Sequence, residues 1–187
     1  MFASGSGSNF QAIIDSIEKG EIEAQISGLI ASRPNIRAID RAISHNIPHY
    51  VLPEVKSDND FSKILDSKLK EWNPDLIVLA GFLKKIPNEV IEQYRNKIIN
   101  IHPSLLPKFG GKGFYGMNVH KAVISAGEPV SGCTVHFVNE QYDKGDIIRQ
   151  KKVTVSNDDT PESLAQKVLK EEHKLLPTVV AEIINKN

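Results

Sequence analysis

The sequence predicts an α/β protein: an open, mostly parallel sheet with helices on both faces and an antiparallel strand pair towards the C-terminus. Three observations predict it. Short apolar runs alternate with amphipathic stretches in the order βαβαβαβαβ, the pattern of a parallel sheet with crossover helices. One run, Leu76 to Ala80, is apolar throughout, as a strand covered on both faces requires. After a long irregular stretch, two runs of β character are joined by a polar turn, which suits an antiparallel pair.

The elements follow in chain order. Asn9 to Lys19 places Phe10, Ile13, Ile14 and Ile17 on one face of a helix. Ala24 to Ser32 reads as a strand, Asn35 to His45 as a helix and His49 to Leu52 as a short strand. Asp58 to Lys70 carries the stripe Phe61, Ile64, Leu65 and Leu69. Pro87 to Tyr94 opens with the proline that favours a first helical turn, and Ile98 to Ile101 is the next strand. Pro103 to Met117 has two prolines, four glycines and no periodicity. It reads as a long loop, and long loops in compact domains are usually functional. Val119 to Ser125 is a short helix, Val130 to Val138 and Ile147 to Val155 are strands, and Thr160 to Ile184 is the closing helix, open to interruption at Pro177. The order is Rossmann-like, so ligands are expected beyond the carboxyl ends of the strands. The first strand is confined to Met1, Phe2 and Ala3, short against a usual length of about 5–6 residues.

Composition limits the function. The chain has 187 residues, 40% apolar and 25% charged, which predicts one domain over 1–187. Basic and acidic residues balance at 23 each, so neither nucleic acid nor an anionic membrane is an expected partner. No apolar run is long enough to span a bilayer. A single cysteine, Cys133, forbids an internal disulfide and fits a cytoplasmic location. There is no G-x-S-x-G nucleophile elbow, and the six histidines show no zinc-ligand spacing, so no metal is expected. His45 and His49 flank a turn and read as surface residues, whereas Cys133 reads as core.

Three segments carry chemistry. Ser4-Gly5-Ser6-Gly7-Ser8-Asn9 follows a strand and opens a helix. Such a loop offers free backbone N–H groups to an anion. Phe10 replaces the third glycine of a dinucleotide fingerprint, and Ser32-Arg33 stands where its acidic residue belongs. The loop therefore reads as a monophosphate cradle, with an unliganded tight turn as the alternative. Second, Asn100 and His102 lie two apart at a strand end and share a face, before Pro103-Ser104-Leu105-Leu106-Pro107. An amide can stabilise an oxyanion, and an imidazole can move a proton. Third, the strand Gly132-Cys133-Thr134-Val135-His136-Phe137-Val138 leads to a turn bearing Asp143. That carboxylate can orient His102 and raise its pKa; plain turn chemistry is the alternative. His136, opposite Cys133, Val135 and Phe137, reads as structural.

Together with Leu79-Ala80-Gly81-Phe82 and Glu172-His173 before Pro177, these segments resemble the folate-dependent formyltransferases, in particular the single-domain branch acting on glycinamide ribonucleotide. The resemblance runs essentially end to end, and Asn100-Ile101-His102-Pro103-Ser104-Leu105-Leu106-Pro107 is its most specific part. It implies formyl transfer from 10-formyltetrahydrofolate, a co-substrate, to a substrate amine in purine biosynthesis, by a monomer or homodimer without metal. It implies catalysis by Asn100, protonated His102 and Asp143. Gly7, Ser8, Asn9 and Glu172 would bind the ribonucleotide. Leu83, Lys84, Lys85, Ile86 and Asn100, with the loop Asn139, Glu140, Gln141, Tyr142 and Asp143, would bind folate. It also suggests a cis Leu106–Pro107 bond. Two departures stand out. The loop from Phe109 to Met117 is longer and richer in glycine than the family's, and the family's arginine between third strand and third helix has only Lys56 in its place. Methionyl-tRNA or sugar-amine formyltransferases and formyltetrahydrofolate hydrolases are the alternatives, discriminated by the acceptor.

Overall fold

The computed structural model describes residues 1–55 and 57–185; Lys56, the only candidate for the missing arginine, lies outside them. Seven strands form one sheet in the order β3-β2-β1-β4-β5-β6-β7. They are β1 (Phe2–Ala3), β2 (Leu29–Ala31), β3 (His49–Val51), β4 (Ile77–Ala80), β5 (Ile98–His102), β6 (Val130–Phe137) and β7 (Ile147–Thr154). The first five are parallel; β6 runs antiparallel to both of its neighbours, β5 and β7. The helices are α1 (Ser8–Glu18), α2 (Arg37–Ser44), α3 (Asp58–Trp72), α4 (Asn88–Gln93), α5 (Met117–Ser125) and α6 (Pro161–Ile184). The strand order reverses between β1 and β4, where such sheets open a crevice at their carboxyl edge.

The first strand is only 2 residues long, yet it is bonded on both sides. Ile30 donates to the Met1 carbonyl at 2.8 Å, Ser32 to Ala3 at 3.0 Å and Ser4 to Gly81 at 3.1 Å. Its brevity explains why β2 is shorter than the expected Ala24 to Ser32. A strand needs a ladder partner, and β1 and β3 offer residues opposite Leu29 to Ala31 only. The helix expected from Asn35 begins two residues later, because Asn35 has φ 58° and Ile36 is extended. α3 starts at a Ser57 cap that accepts from Asp60 N–H and continues past Lys70 to a left-handed Asn73. α6 is not interrupted at Pro177. That proline is buried, and beside it the Thr178 hydroxyl donates to the Lys174 carbonyl at 2.8 Å.

One core packs α1, α5 and α6 against β4, β5 and β6 through Ile13, Ile99, Ile101, Val135, Val168 and Leu176; a second packs α3 and α4 on the other face through Leu65, Leu69, Leu79 and Val90. Cys133 is fully buried, and burial pushes its thiol up to about 12. His49 is exposed, whereas His45 is half-buried and meets Glu18 at 2.8 Å. The Leu106–Pro107 peptide is cis. Among the described residues, no helix is long and apolar enough to cross a membrane.

Candidate active site

The crevice at the strand-order reversal is a cleft of about 720 Å³, lined by the Ser4–Asn9 loop, Gly81–Leu83, Asn100, His102, the glycine-rich loop, His120, Asp143 and Glu172. A larger groove, about 820 Å³, runs between α1 and α6 but reaches none of Asn100, His102 and Asp143.

One wall is the start of α1. Gly7 caps the helix in the left-handed region at φ 69°. A Cβ there would lie 2.7 Å from that of Ala38 on α2, so both conformation and packing require glycine. The N–H groups of Ser8 and Asn9 in the first turn have no intrahelical acceptor and are free for an anion. Arg41 braces the loop from behind, donating from Nε to the Ser6 carbonyl at 3.0 Å and from Nη1 to Gln11 Oε1 at 2.8 Å. Asn9 donates through Nδ2 to Glu172 Oε2 at 2.7 Å. Its buried Oδ1 has no partner among the described residues. Burial raises the pKa of Glu172, against the pull of the Asn9 amide.

At the centre, Asn100 and His102 project from the end of β5. Opposite Asn100 on β6 stands His136. His136 Nδ1–H donates to the Phe137 carbonyl at 2.7 Å, which in the neutral ring leaves Nε2 to accept from Asn100 Nδ2 at 3.1 Å. The second Asn100 N–H has no partner among the described residues. A bulge between Val135 and His136 accompanies this placement, as bulges beside sites often re-aim a side chain. His136 is therefore not merely structural: its face, opposite Cys133 and Val135, is the face of the site. Asp143, in the β6–β7 turn at φ 54°, sits between the two histidines. Its Oδ2 lies 3.6 Å from His102 Nδ1 and its Oδ1 lies 3.6 Å from His136 Nε2.

Burial and a neighbouring charge pull the His102 pKa in opposite directions. Burial lowers its pKa, and the opposing influences of Asp143 and the Phe109 carbonyl do not overcome it. A pKa below the ordinary histidine value favours the neutral ring at pH 7 in the free protein. Burial pushes the Asp143 carboxyl up, but His136, His102 and the Gly111 N–H outweigh that and leave its pKa below the usual range. The pair is thus a neutral imidazole beside a carboxylate.

The expected folate residues divide. Lys84, Lys85, Ile86, Asn139, Gln141, Tyr142 and Asp143 line a small adjoining pocket with Asn100 and His136. Leu83 lies at the main cleft, its N–H already donated to Ser4 Oγ at 2.9 Å. Glu140 lines neither pocket and faces Arg95 at 3.3 Å. Among the lining residues without a chemical role in the sequence reading are His136, His120 and Arg33. His136 was detectable from the facing patterns Asn100-x-His102 and Thr134-x-His136 once β5 and β6 are paired. His120 on α5 is 5% exposed, with Nδ1 unpartnered among the described residues; burial first, then His102, hold its pKa down to about 4. Arg33, just after β2, lines the cleft with the Ser4–Asn9 loop. No periodic signal marks either one.

Comparison with known proteins places this geometry. Residues 1–180 match the profile of the formyl transferase family. The phosphoribosylglycinamide formyltransferase of Bacillus subtilis (strain 168) is 36% identical over 189 residues, covering 100% of this chain and 94% of that protein. The chloroplastic enzyme of that name from Arabidopsis thaliana is 44% identical over 98% of this chain, which spans 64% of its length. The glycinamide ribonucleotide transformylase 1 structure from Geobacillus kaustophilus superposes with a TM-score of 0.91 at 37% identity, covering 97% of this chain and 95% of that one. With the profile matched across nearly the whole chain, and the cleft built from the segments that carried the resemblance, the chain belongs to the formyl transferase family.

Proposed function

We propose that residues 1–187 form one domain that transfers the formyl group of 10-formyltetrahydrofolate to the amine of 5'-phosphoribosylglycinamide, in the cytoplasm and without a metal. The observation that carries this reading is the meeting of an amide, an imidazole and a carboxylate, Asn100, His102 and Asp143, in the same cleft as a helix-start anion cradle. The relatives bearing that enzyme's name support the choice of substrate.

The substrate phosphate takes the N–H groups of Gly7, Ser8 and Asn9, and Glu172 receives the glycyl amine. Folate lies across Leu83 to Ile86 and under the Asn139–Asp143 loop. The amine nitrogen attacks the formyl carbon, and the carbonyl oxygen becomes an oxyanion. The free Asn100 N–H donates to it. His102, neutral beforehand, takes the proton of the attacking nitrogen at Nδ1, beside the Asp143 charge that stabilises the imidazolium. The bond to the folate nitrogen then breaks, that nitrogen receives the proton, and formylated amide and tetrahydrofolate leave.

The test is an assay of purified protein with 10-formyltetrahydrofolate and glycinamide ribonucleotide, methionyl-tRNA or water as acceptor. Turnover is expected with the ribonucleotide. His102→Ala should lower kcat by about 10²-fold or more while leaving folate affinity nearly unchanged. Formate release without an acceptor, or formylation of tRNA alone, overturns the reading.

A further inference from the structure

His102 on β5 and Asp143 in the β6–β7 turn are 41 residues apart, yet one short stretch of the glycine-rich loop grips both. The Phe109 carbonyl lies 2.8 Å from His102 Nε2. A carbonyl only accepts, so Nε2 carries the hydrogen. Two residues on, the Gly111 N–H donates to Asp143 Oδ2 at 2.8 Å, the oxygen that faces His102 Nδ1 at 3.6 Å. Phe109 and Gly111 both have positive φ, 54° and 97°. Between them, Gly110 leaves no room for a side chain: an added Cβ would stand 2.4 Å from Leu106 Cδ2 and 3.2 Å from Asp143 Cβ. The fully buried Ser104 anchors the stretch, its hydroxyl donating to the Lys108 carbonyl at 2.6 Å.

We propose that the backbone of Phe109, Gly110 and Gly111 is a positioning segment: its carbonyl commits His102 to the Nε2–H tautomer, so that protons are exchanged at Nδ1, and its N–H keeps Asp143 turned towards that nitrogen. This rests on the roles given above to His102 and Asp143. It gives part of the unusual loop a chemical task. The carbonyl and N–H are backbone groups, which side-chain truncation leaves in place, so the sensitive position is Gly110, where a branched side chain must displace Leu106 Cδ2 and press on Asp143 Cβ.

Nitrogen-15 NMR of the ligand-free protein tests the first half. The neutral His102 ring should carry its hydrogen on Nε2 alone, with that proton protected from solvent exchange; an Nδ1–H ring or a freely exchanging tautomer mixture overturns the proposal. Gly110→Val tests the second half. Displacing Asp143 should move the His102 titration to lower pH and reduce kcat about tenfold or more, with KM for each substrate changed less than about twofold. A folded variant with unchanged titration and kcat refutes it. A loss of packing alone would lower the folded fraction but leave the titration in place. If the variant does not fold, the wild-type tautomer decides. The NMR readouts need no ligand, so absence of formyl transfer with every acceptor would sink the proposed function and leave them standing.

Discussion

His102 and His120 both line the cleft, both are buried, and both have pKa values below the ordinary histidine value of 6.5. The sign of their linkage to stability follows. Between pH 6.5 and about 4, where His120 titrates in the folded state, the unfolded chain binds more protons at these rings than the native one. Stability should therefore fall as pH drops through that window. Glu172 works the other way, because its raised pKa lets the native state bind a proton first. Urea unfolding at pH 7 and pH 5 is expected to show a lower midpoint at pH 5, with a smaller difference in His120→Gln than in the wild type. An identical difference in the two proteins would mean that His120 is not a source of the acid sensitivity. Legibility in the sequence divides along the same lines. Asn100 and His102 stand out because a strand end and an unusual proline-rich run mark them. His120 sits on a short helix, where a histidine on the core face looks like any other. The net direction of the His102 pKa shift is not legible in the sequence, because burial, absent there, outweighs the neighbouring Asp143 charge that is present.

The elements meet at close approaches that sequence periodicity does not reveal. Gly28, just before β2, lies under the indole of Trp72, the last residue of α3; an added Cβ would come within 2.5 Å of the ring. Lys68 stacks on the same indole and on Tyr50 of β3, at 5.6 and 4.9 Å from the ring centroids. Gly28→Val should push α3 off the sheet edge and cost about 1–3 kcal/mol through overpacking. Urea denaturation of the variant measures it, and an unchanged midpoint would show that the helix end moves freely. This contact also explains what the sequence conveyed only in part. The stripe of α3 is clear, but its extension to Trp72 depends on a partner 44 residues earlier. Likewise, Ala24 to Ser32 has the composition of a long strand, and only the short β1 beside it limits the ladder to Leu29–Ala31.

At the scale of the whole molecule, the βα alternation and the switch to antiparallel strands follow from the pattern of apolar runs, and the cleft follows from the strand order. What the pattern could not supply is how the two sides of the cleft are joined. Ser4, at the exit of β1, donates through its N–H to Gly81 and accepts at Oγ from the Leu83 N–H. It ties the Ser4–Asn9 loop directly to the segment proposed to bind folate. Under the proposed function these are two ligand sites; sites that share a hydrogen-bonded joint can be thermodynamically coupled, and any such coupling is reciprocal. If loading the anion loop orders the joint, each ligand should strengthen the other's binding by the same factor. Calorimetric titration of a non-reactive folate analogue, with and without glycinamide ribonucleotide, should show tighter binding in its presence, and Ser4→Ala should bring that factor towards one. A factor that survives the substitution would assign the coupling to direct contact between the ligands. If it does not survive, cooperative loading rests on one hydroxyl, and under subsaturating conditions the cleft favours its doubly occupied form over either half-filled one.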